Sequence, residues 1–569
     1  MLSYSINPYV SFVESRLFPE FVQHAVFHRL TGMIIEPGET VRGLLSANRS
    51  GNRATLSAND FDNLSGDKAQ FIQLVQQEFL IPEGHDPLAS LLNYYVTRPI
   101  QNPGVAYRST TGDWILVRTS MEHTVYSRKR DELPEIIEEK LSPLSADILL
   151  LADGSRSLQQ IFTALRGANG ASLLEDSEFR TALDFLTVQE RQLIKFTSLF
   201  EELDHPFTYV NIVPRNLYHS ERKDQPRPHS STEAIIDFHL DGIEDASWEF
   251  DQIEPTVNHG FRFPHEALGG LDYGSRFCVA TLKPEVVPLI GRSPMLEVLE
   301  VGGGTGSFAR AFINQATSLN ATTINYHILD LSPALMENQR KILSGLLPES
   351  RHFQQNATEF DLPGHVFDLI VSNEVIADFP VASVPGEGAH YMDKYGLWEK
   401  DAPDSFVVNS GAFQFIERAW KHLRPGGTLI VSEYGAENKY AARSYNLNHD
   451  EFTIHFGHLA ACATSVGFQC RLVTLKEFLD FDDDVFVLNG REEHLLCLNH
   501  VFKNYGQTLD YAVTSKSDFE KRFQRIVEET GLIGYSFSPL NRGYHFGPNI
   551  RDFLVLIMNK PHPQITQIS

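Results

Sequence analysis

The chain has 569 residues, too many for one ordinary core, and at ~150 residues per domain it suggests about three or four domains. Hydrophobic residues make up 42%, as in a globular protein, and the net charge of −25 argues against a nucleic-acid surface, which needs basic patches, while suiting a basic peptide or solubility alone. Cys278, Cys462, Cys470 and Cys497 give neither zinc spacing nor a disulfide framework, no apolar run approaches a membrane span, and no signal peptide is visible, so a cytoplasmic location without membrane contact is expected.

Residues 1–100 contain Val41-Arg-Gly-Leu-Leu45 and Leu74-Val-Gln-Gln-Glu-Phe-Leu-Ile81. These loosely echo the helices of the next segment, so the region reads as a diverged winged-helix-like copy or as two unrelated small helices. In residues 101–200, Trp114-Ile-Leu-Val-Arg118 and His123-Thr-Val-Tyr126 predict a hairpin. Ser142-Pro-Leu-Ser starts a capped helix, and Asp153-Gly154 makes a turn. Leu158, Ile161, Phe162 and Leu165 have helical spacing, 179–192 predicts a third helix, and Leu193-Ile-Lys-Phe196 a closing strand.

This order, with Leu149-Leu-Leu-Ala-Asp-Gly-Ser-Arg-Ser-Leu158, Leu183-Asp-Phe-Leu186 and Gln192-Leu-Ile194, resembles the PqqD-like peptide-recognition domains of ribosomal-peptide modifying enzymes. The resemblance implies a leader peptide added as a strand to a sheet edge. Winged helices also bind DNA or serve as plain interaction units, so the pattern alone leaves those roles open.

Residues 201–290 read as a linker and a lid. The stretch from Tyr218 to Thr232 is polar and proline-broken. Asn258-His-Gly260 through Tyr273 gathers aromatic, His and Gly residues that could cover a ligand, with Tyr273 or Arg262 lining it. His259 and His265 do not share a helical face and have no third ligand nearby, so no metal is expected.

The last segment, 291–569, reads as a nucleotide-type α/β domain. Met295-Leu-Glu-Val-Leu299 is an apolar strand, Glu300-Val-Gly-Gly-Gly-Thr-Gly306 a glycine-rich turn, and Ser307 starts a helix. Glycine is needed where φ is positive or where a Cβ would strike the ligand. The acid Glu300 and the spacing of Gly302, Gly303, Gly304 and Gly306 favour S-adenosylmethionine (SAM) over a dinucleotide. A carboxylate suits a sulfonium and an amino group and repels a pyrophosphate.

Thr323 to Leu329 predicts the second strand, with Asp330 at its end to bind ribose hydroxyls and Leu331 beside it. Ser332-Pro333 starts a helix from Ala334 to Leu346, and Asn356-Ala357 falls near an adenine edge. Val366 to Ser372 is a third strand, ending in Asn373-Glu374. An insertion near 382–411 is expected to be a lid or substrate loop. A helix from Phe413 to Leu423, a strand from Thr428 to Ser432, a helix from Leu459 to Ser465 and a last strand from Asp552 to Met558 follow.

Glu300-Val-Gly-Gly-Gly-Thr-Gly306, Ile328-Leu-Asp-Leu-Ser-Pro333 with Gln339, Ser372-Asn-Glu374 with Pro380-Val381, Gly427 to Gly435 and Phe452-Thr-Ile-His455-Phe456 together resemble MidA-like class I methyltransferases over about 290–470. The resemblance implies a seven-strand Rossmann-like sheet, SAM as methyl donor, and protein arginine as acceptor. Glu374 would then hold a guanidinium, Asp378 would supply a second acid and His455 a base; Ala377 stands where the family carries its acid. The fold class expected is α/β, a Rossmann-like methyltransferase with N-terminal α+β winged-helix-like domains. The expected partner is a precursor peptide or protein. A small-molecule or carrier-bound acceptor, or a non-catalytic SAM-binding assembly factor, are the alternatives. The sequence leaves the oligomeric state open.

Overall fold

The computed structural model describes residues 4–12, 26–31, 33–35, 55–56, 68–98, 104–119, 135–166, 176–188, 191–197, 240, 256–319, 323–348, 351–445, 450–490, 492–510, 512–542 and 550–562. The chain divides into two compact units, Met1–Pro226 with Phe486–His545, and Arg227–Val485 with Phe546–Ser569. The continuous 291–569 domain expected from the sequence is therefore interrupted. Residues 486–545 leave it and pack in the front unit. The reason is visible at Ile533, which is buried in the front core and exchanges backbone hydrogen bonds with Ala106 at 2.8 and 2.9 Å.

In the catalytic unit the strands are β1 (Met295–Val301), β2 (Thr323–Asp330), β3 (His352–Gln354), β4 (Phe367–Asn373), β5 (Leu423–Ala436), β6 (Gln469–Thr474) and β7 (Phe553–Asn559). They lie in the order β3-β2-β1-β4-β5-β7-β6. All pairings are parallel except those of β7, which runs antiparallel to both neighbours. The order reverses between β1 and β4, so their carboxyl ends open a crevice there.

β1 is buried on both faces, as a central parallel strand must be. Leu299 and Val301 join a core with Ile370, Leu429 and Val431, covered by α5 (Ser410–His422) and α6 (Phe456–Val466). On the opposite face Tyr273 and Phe277 of α1 (Tyr273–Thr281) and Phe308 and Phe312 of α2 (Ser307–Leu319) form a chain of ring contacts ending on Tyr326. α3 (Pro333–Ile342) starts as the sequence predicts, with Ser332 Oγ accepting the Leu335 N–H at 3.2 Å and Pro333 at the first turn.

The insertion is not an open loop. Strands Ala382–Val384 and Phe406–Val408 pair antiparallel and enclose α4 (Gly388–Tyr395), whose Met392 and Tyr395 enter the core beside Phe413. Its apolar residues outweigh its glycines and acids in deciding where it goes.

In the front unit, Trp114–Thr119 pairs with Gly104–Arg108 and Ile136–Leu141. The expected partner 123–126 lies outside the described residues, as do 41–45 and the 218–232 linker. A second sheet places Tyr95–Thr97 between Asp153–Ser157 and Lys195–Thr197. Helices Pro143–Leu151, Leu158–Arg166 and Ser177–Thr187 bury Leu149, Ile161, Phe162, Phe179 and Leu183 in one core. The third ends at Thr187 rather than 192, because Gln192 turns with φ 43° and Leu193 N–H returns to Leu186 O at 2.8 Å. Among the described residues, no helix is long and apolar enough to cross a membrane.

Candidate functional site

A cavity opens at the carboxyl ends of β1, β2 and β4. Of the residues the sequence assigns to cofactor or acceptor, Glu300, Gly302, Gly303, Gly304, Asp330, Leu331, Asn356, Ala357, Asn373, Glu374 and Asp378 line it. Gly306 and His455 are not among the lining residues.

The glycine turn is built by the protein around itself. Gly302 has φ 75°, and a Cβ there would run into the Val375 side chain. A Cβ on Gly303 would sit 2.7 Å from Ile328 Cγ2, and one on Gly306 3.1 Å from Gln339 Cα. The close approaches expected to a ligand are, at these three positions, approaches to protein. Gly304 is different: φ is 49° and nothing lies within 4 Å of a Cβ. Conformation alone selects glycine there.

Glu300 is 3% exposed and accepts the Tyr326 hydroxyl at 3.1 Å. Burial pushes its carboxyl up to about 8, and the nearby Asp330 adds to this. A buried carboxyl short of a cation is what a sulfonium or ammonium would satisfy. Asp330 stands at the end of β2 in the cavity wall. Its Oδ2 accepts Gln339 Nε2 at 2.7 Å and its Oδ1 the Ser332 N–H at 3.0 Å. Gln339 Nε2 also reaches Gly304 O at 3.0 Å, which ties Asp330 to the glycine turn. Asn356 spends its Oδ1 on the Thr358 N–H and hydroxyl, at 3.0 and 2.9 Å, and shapes the cavity floor with Ala357.

Glu374 takes a left-handed φ of 55°, rare outside glycine. Its carboxylate accepts the N–H of Val257 at 2.8 Å and of Asn258 at 3.4 Å, and Asn373 Nδ2 at 3.1 Å. It thus caps the short turn Val257–Gly260, bringing Thr256 and Asn258 into the cavity wall. Asn258 Nδ2 then donates to Ser307 Oγ at 3.0 Å, at the start of α2. The sequence points to this segment as a lid but names the wrong residues. Tyr273 is fully buried beneath the wall, and Arg262 turns to His259. Thr256 capping the His259 N–H at 3.0 Å is the local signal that could have marked the turn.

Behind Glu374 lie more acids. Glu433 is 2% exposed, and burial, reinforced by Glu374, Glu451 and Asp378, drives its carboxyl well above the usual range. It accepts the N–H of Tyr434 at 2.9 Å and of Ala377 at 3.3 Å. Burial also lifts Glu374 to about 7, with Glu451 adding to the rise. Phe379 and Pro380, neither assigned to the site from the sequence, complete the cavity wall beside Asp378.

His455, expected as a base, is not among the residues lining this cavity. Its Nδ1 accepts the His458 N–H at 3.2 Å to cap α6, and its ring stacks on His458 with centroids 3.6 Å apart. The ring is committed to the helix start.

Residues 283–424 match the family model described as "Putative S-adenosyl-L-methionine-dependent methyltransferase". No curated protein matches the chain. Among solved structures, a Burkholderia thailandensis protein bound to S-adenosyl-homocysteine is 15% identical over 58% of this chain and 92% of that one, with a TM-score of 0.31. A Haemonchus contortus phosphoethanolamine N-methyltransferase 2 in complex with S-adenosyl-L-methionine is 14% identical over 59% and 62%, with a TM-score of 0.29. A SAM-dependent methyltransferase of Clostridium acetobutylicum is 12% identical over 36% and 85%, with a TM-score of 0.24. The glycine cradle, the strand-end acids and the family match agree: the chain is a class I SAM-dependent methyltransferase.

Proposed function

We propose that this methyltransferase acts on an arginine nitrogen of a peptide or protein, most naturally a ribosomally made precursor peptide recruited by the front unit. The observation that supports this reading is the gathering of Glu374, Asp378, Glu433 and Glu451 at the ends of β4 and β5, two of them in the cavity wall. Burial raises the Glu374 and Glu433 carboxyls, which keep protons for lack of a cation. A guanidinium supplies that cation, with planar donors matched to carboxylates.

SAM supplies a methyl group already activated by a positive sulfur. The chain's residues position the acceptor and manage one proton. Glu374 offers about four acceptor sites, and Val257, Asn258 and Asn373 occupy three. Asp378, in the same cavity wall, shares in orienting the guanidinium. As the nitrogen lone pair forms the new N–C bond, the S–C bond breaks and its electron pair stays on sulfur. The surplus proton on nitrogen passes to the Asp378 carboxylate and then to water.

Recruitment by the front unit is supported by the outer edge of Ile136–Leu141, which pairs with no strand among the described residues. An extended peptide adds to such an edge through its main chain.

Intact-mass analysis of arginine-bearing peptides after incubation with the full chain and SAM tests the reading. Methyl gain on arginine is expected, with kcat reduced roughly 100-fold by Asp378→Asn while SAM affinity stays within about twofold. Peptides stripped of their leader should show a higher KM. No methyl on any arginine peptide, with SAM bound and a small amine methylated instead, overturns it in favour of a small-molecule acceptor.

A further inference from the structure

α6 begins with two histidines one turn apart, and the insertion carries a glutamate to them. We propose that Glu399, His455 and His458 form a binding site for a transition-metal dication of the Zn2+ class. One donor atom from each residue lies within 4.8 Å of the others. His455 and His458 are 3% and 4% exposed, and Nε2 of each is buried without a hydrogen-bond partner. A protein interior seldom leaves such an atom unpaired, and here His458 Nε2 lies 3.9 Å from the Glu399 carboxylate.

Glu399 is held for the purpose. Its Oε2 accepts the Tyr440 hydroxyl at 2.8 Å, leaving Oε1 3.9 Å from His458 Nε2. Ligating carboxylates are commonly fixed by such an outer hydrogen bond. The Tyr440 ring packs edge-on against both imidazoles. Two imidazoles and one carboxylate suit Zn2+ and its neighbours, not Mg2+ or Ca2+, which prefer all-oxygen shells.

Binding requires a local rearrangement. The two rings lie stacked, with 4° between their planes, so one ion cannot sit in both ring planes until they fan apart. His455 must also carry its ring proton on Nδ1, giving up the bond from the His458 N–H. The loaded site then ties the insertion at Glu399 to the start of α6. Water completes the coordination.

The test uses untagged full-length protein, stripped with chelator and titrated with Co2+, then Zn2+. One equivalent of Co2+ should give the intense visible bands of a four-coordinate site, which Zn2+ abolishes. Glu399→Gln and His458→Asn should each weaken binding roughly tenfold to 100-fold, and the double variant should show no four-coordinate spectrum. Unchanged far-ultraviolet dichroism and unchanged SAM affinity confirm that the variants fold. Zn2+ should also slow proteolysis across the exposed stretch around Lys400 in the native protein alone. A weak six-coordinate Co2+ spectrum, or equal binding by the folded double variant, overturns the proposal.

Discussion

The hydroxyl of Tyr273, at the start of α1, donates to Asn373 Oδ1 at 2.7 Å, and Asn373 Nδ2 passes the connection to Glu374 at 3.1 Å. Glu374 in turn anchors Val257. One buried phenol thus helps set the cavity wall. Tyr273→Phe keeps the ring packed but strands the Asn373 carbonyl oxygen. We expect a stability loss of about 1–3 kcal/mol by denaturant titration and a weaker S-adenosyl-homocysteine affinity by calorimetry.

Gly302→Ala places a methyl against Val375 on a backbone with φ 75°. Two costs combine: about 1–2 kcal/mol for a left-handed L-residue, and about 1–3 kcal/mol for overpacking. Pairing it with Val375→Ala should recover the second cost and leave the first. Thermal unfolding of the single and double variants separates them. Equal melting temperatures would show that the Val375 contact does not matter.

Gln339 is fully buried and bridges Asp330 and Gly304. Gln339→Leu fills the space but releases both. SAM affinity should fall roughly tenfold, one well-placed hydrogen bond to a charged group being worth about 1.5–3 kcal/mol. An unchanged dissociation constant would show that the glycine turn needs no such tie.

Stability should fall as pH rises. Glu300 and Glu374 have folded values of about 8 and about 7, above the unfolded 4.5. Between pH 4.5 and 8 the native state therefore binds more protons than the unfolded chain, so unfolding free energy drops with pH. The slope is at most about 1.4 kcal/mol per pH unit for each group. Their contribution is full below 4.5 and lost as pH passes through 7 to 8. Glu300→Gln should flatten the melting-temperature profile in this window. SAM should stabilise the native protein more at pH 8 than at pH 6, because its cation favours the ionised Glu300.

The glycine turn, the acid after β2, the Ser332-Pro333 helix start and Asn373-Glu374 were legible in the sequence because each is local. A turn with positive φ, a capped helix and the end of an apolar strand all depend on neighbours a few residues away. The same holds for the helices at 143–151 and 158–166 in the front unit. What spacing could not give is what distant segments bring together. Thr256 and Asn258 enter the cavity only because Glu374 anchors their backbone across 117 and 116 positions of chain. Glu433 owes its raised carboxyl to burial, reinforced by three acids supplied by other segments. His455 looked available as a base, but folding set it against His458 and Glu399 instead. Residues 486–545 read as more of the catalytic domain until Ile533 paired with Ala106. Local chemistry fixed the cofactor's cradle, while burial and long-range pairing decided which side chains face it and what charge they carry.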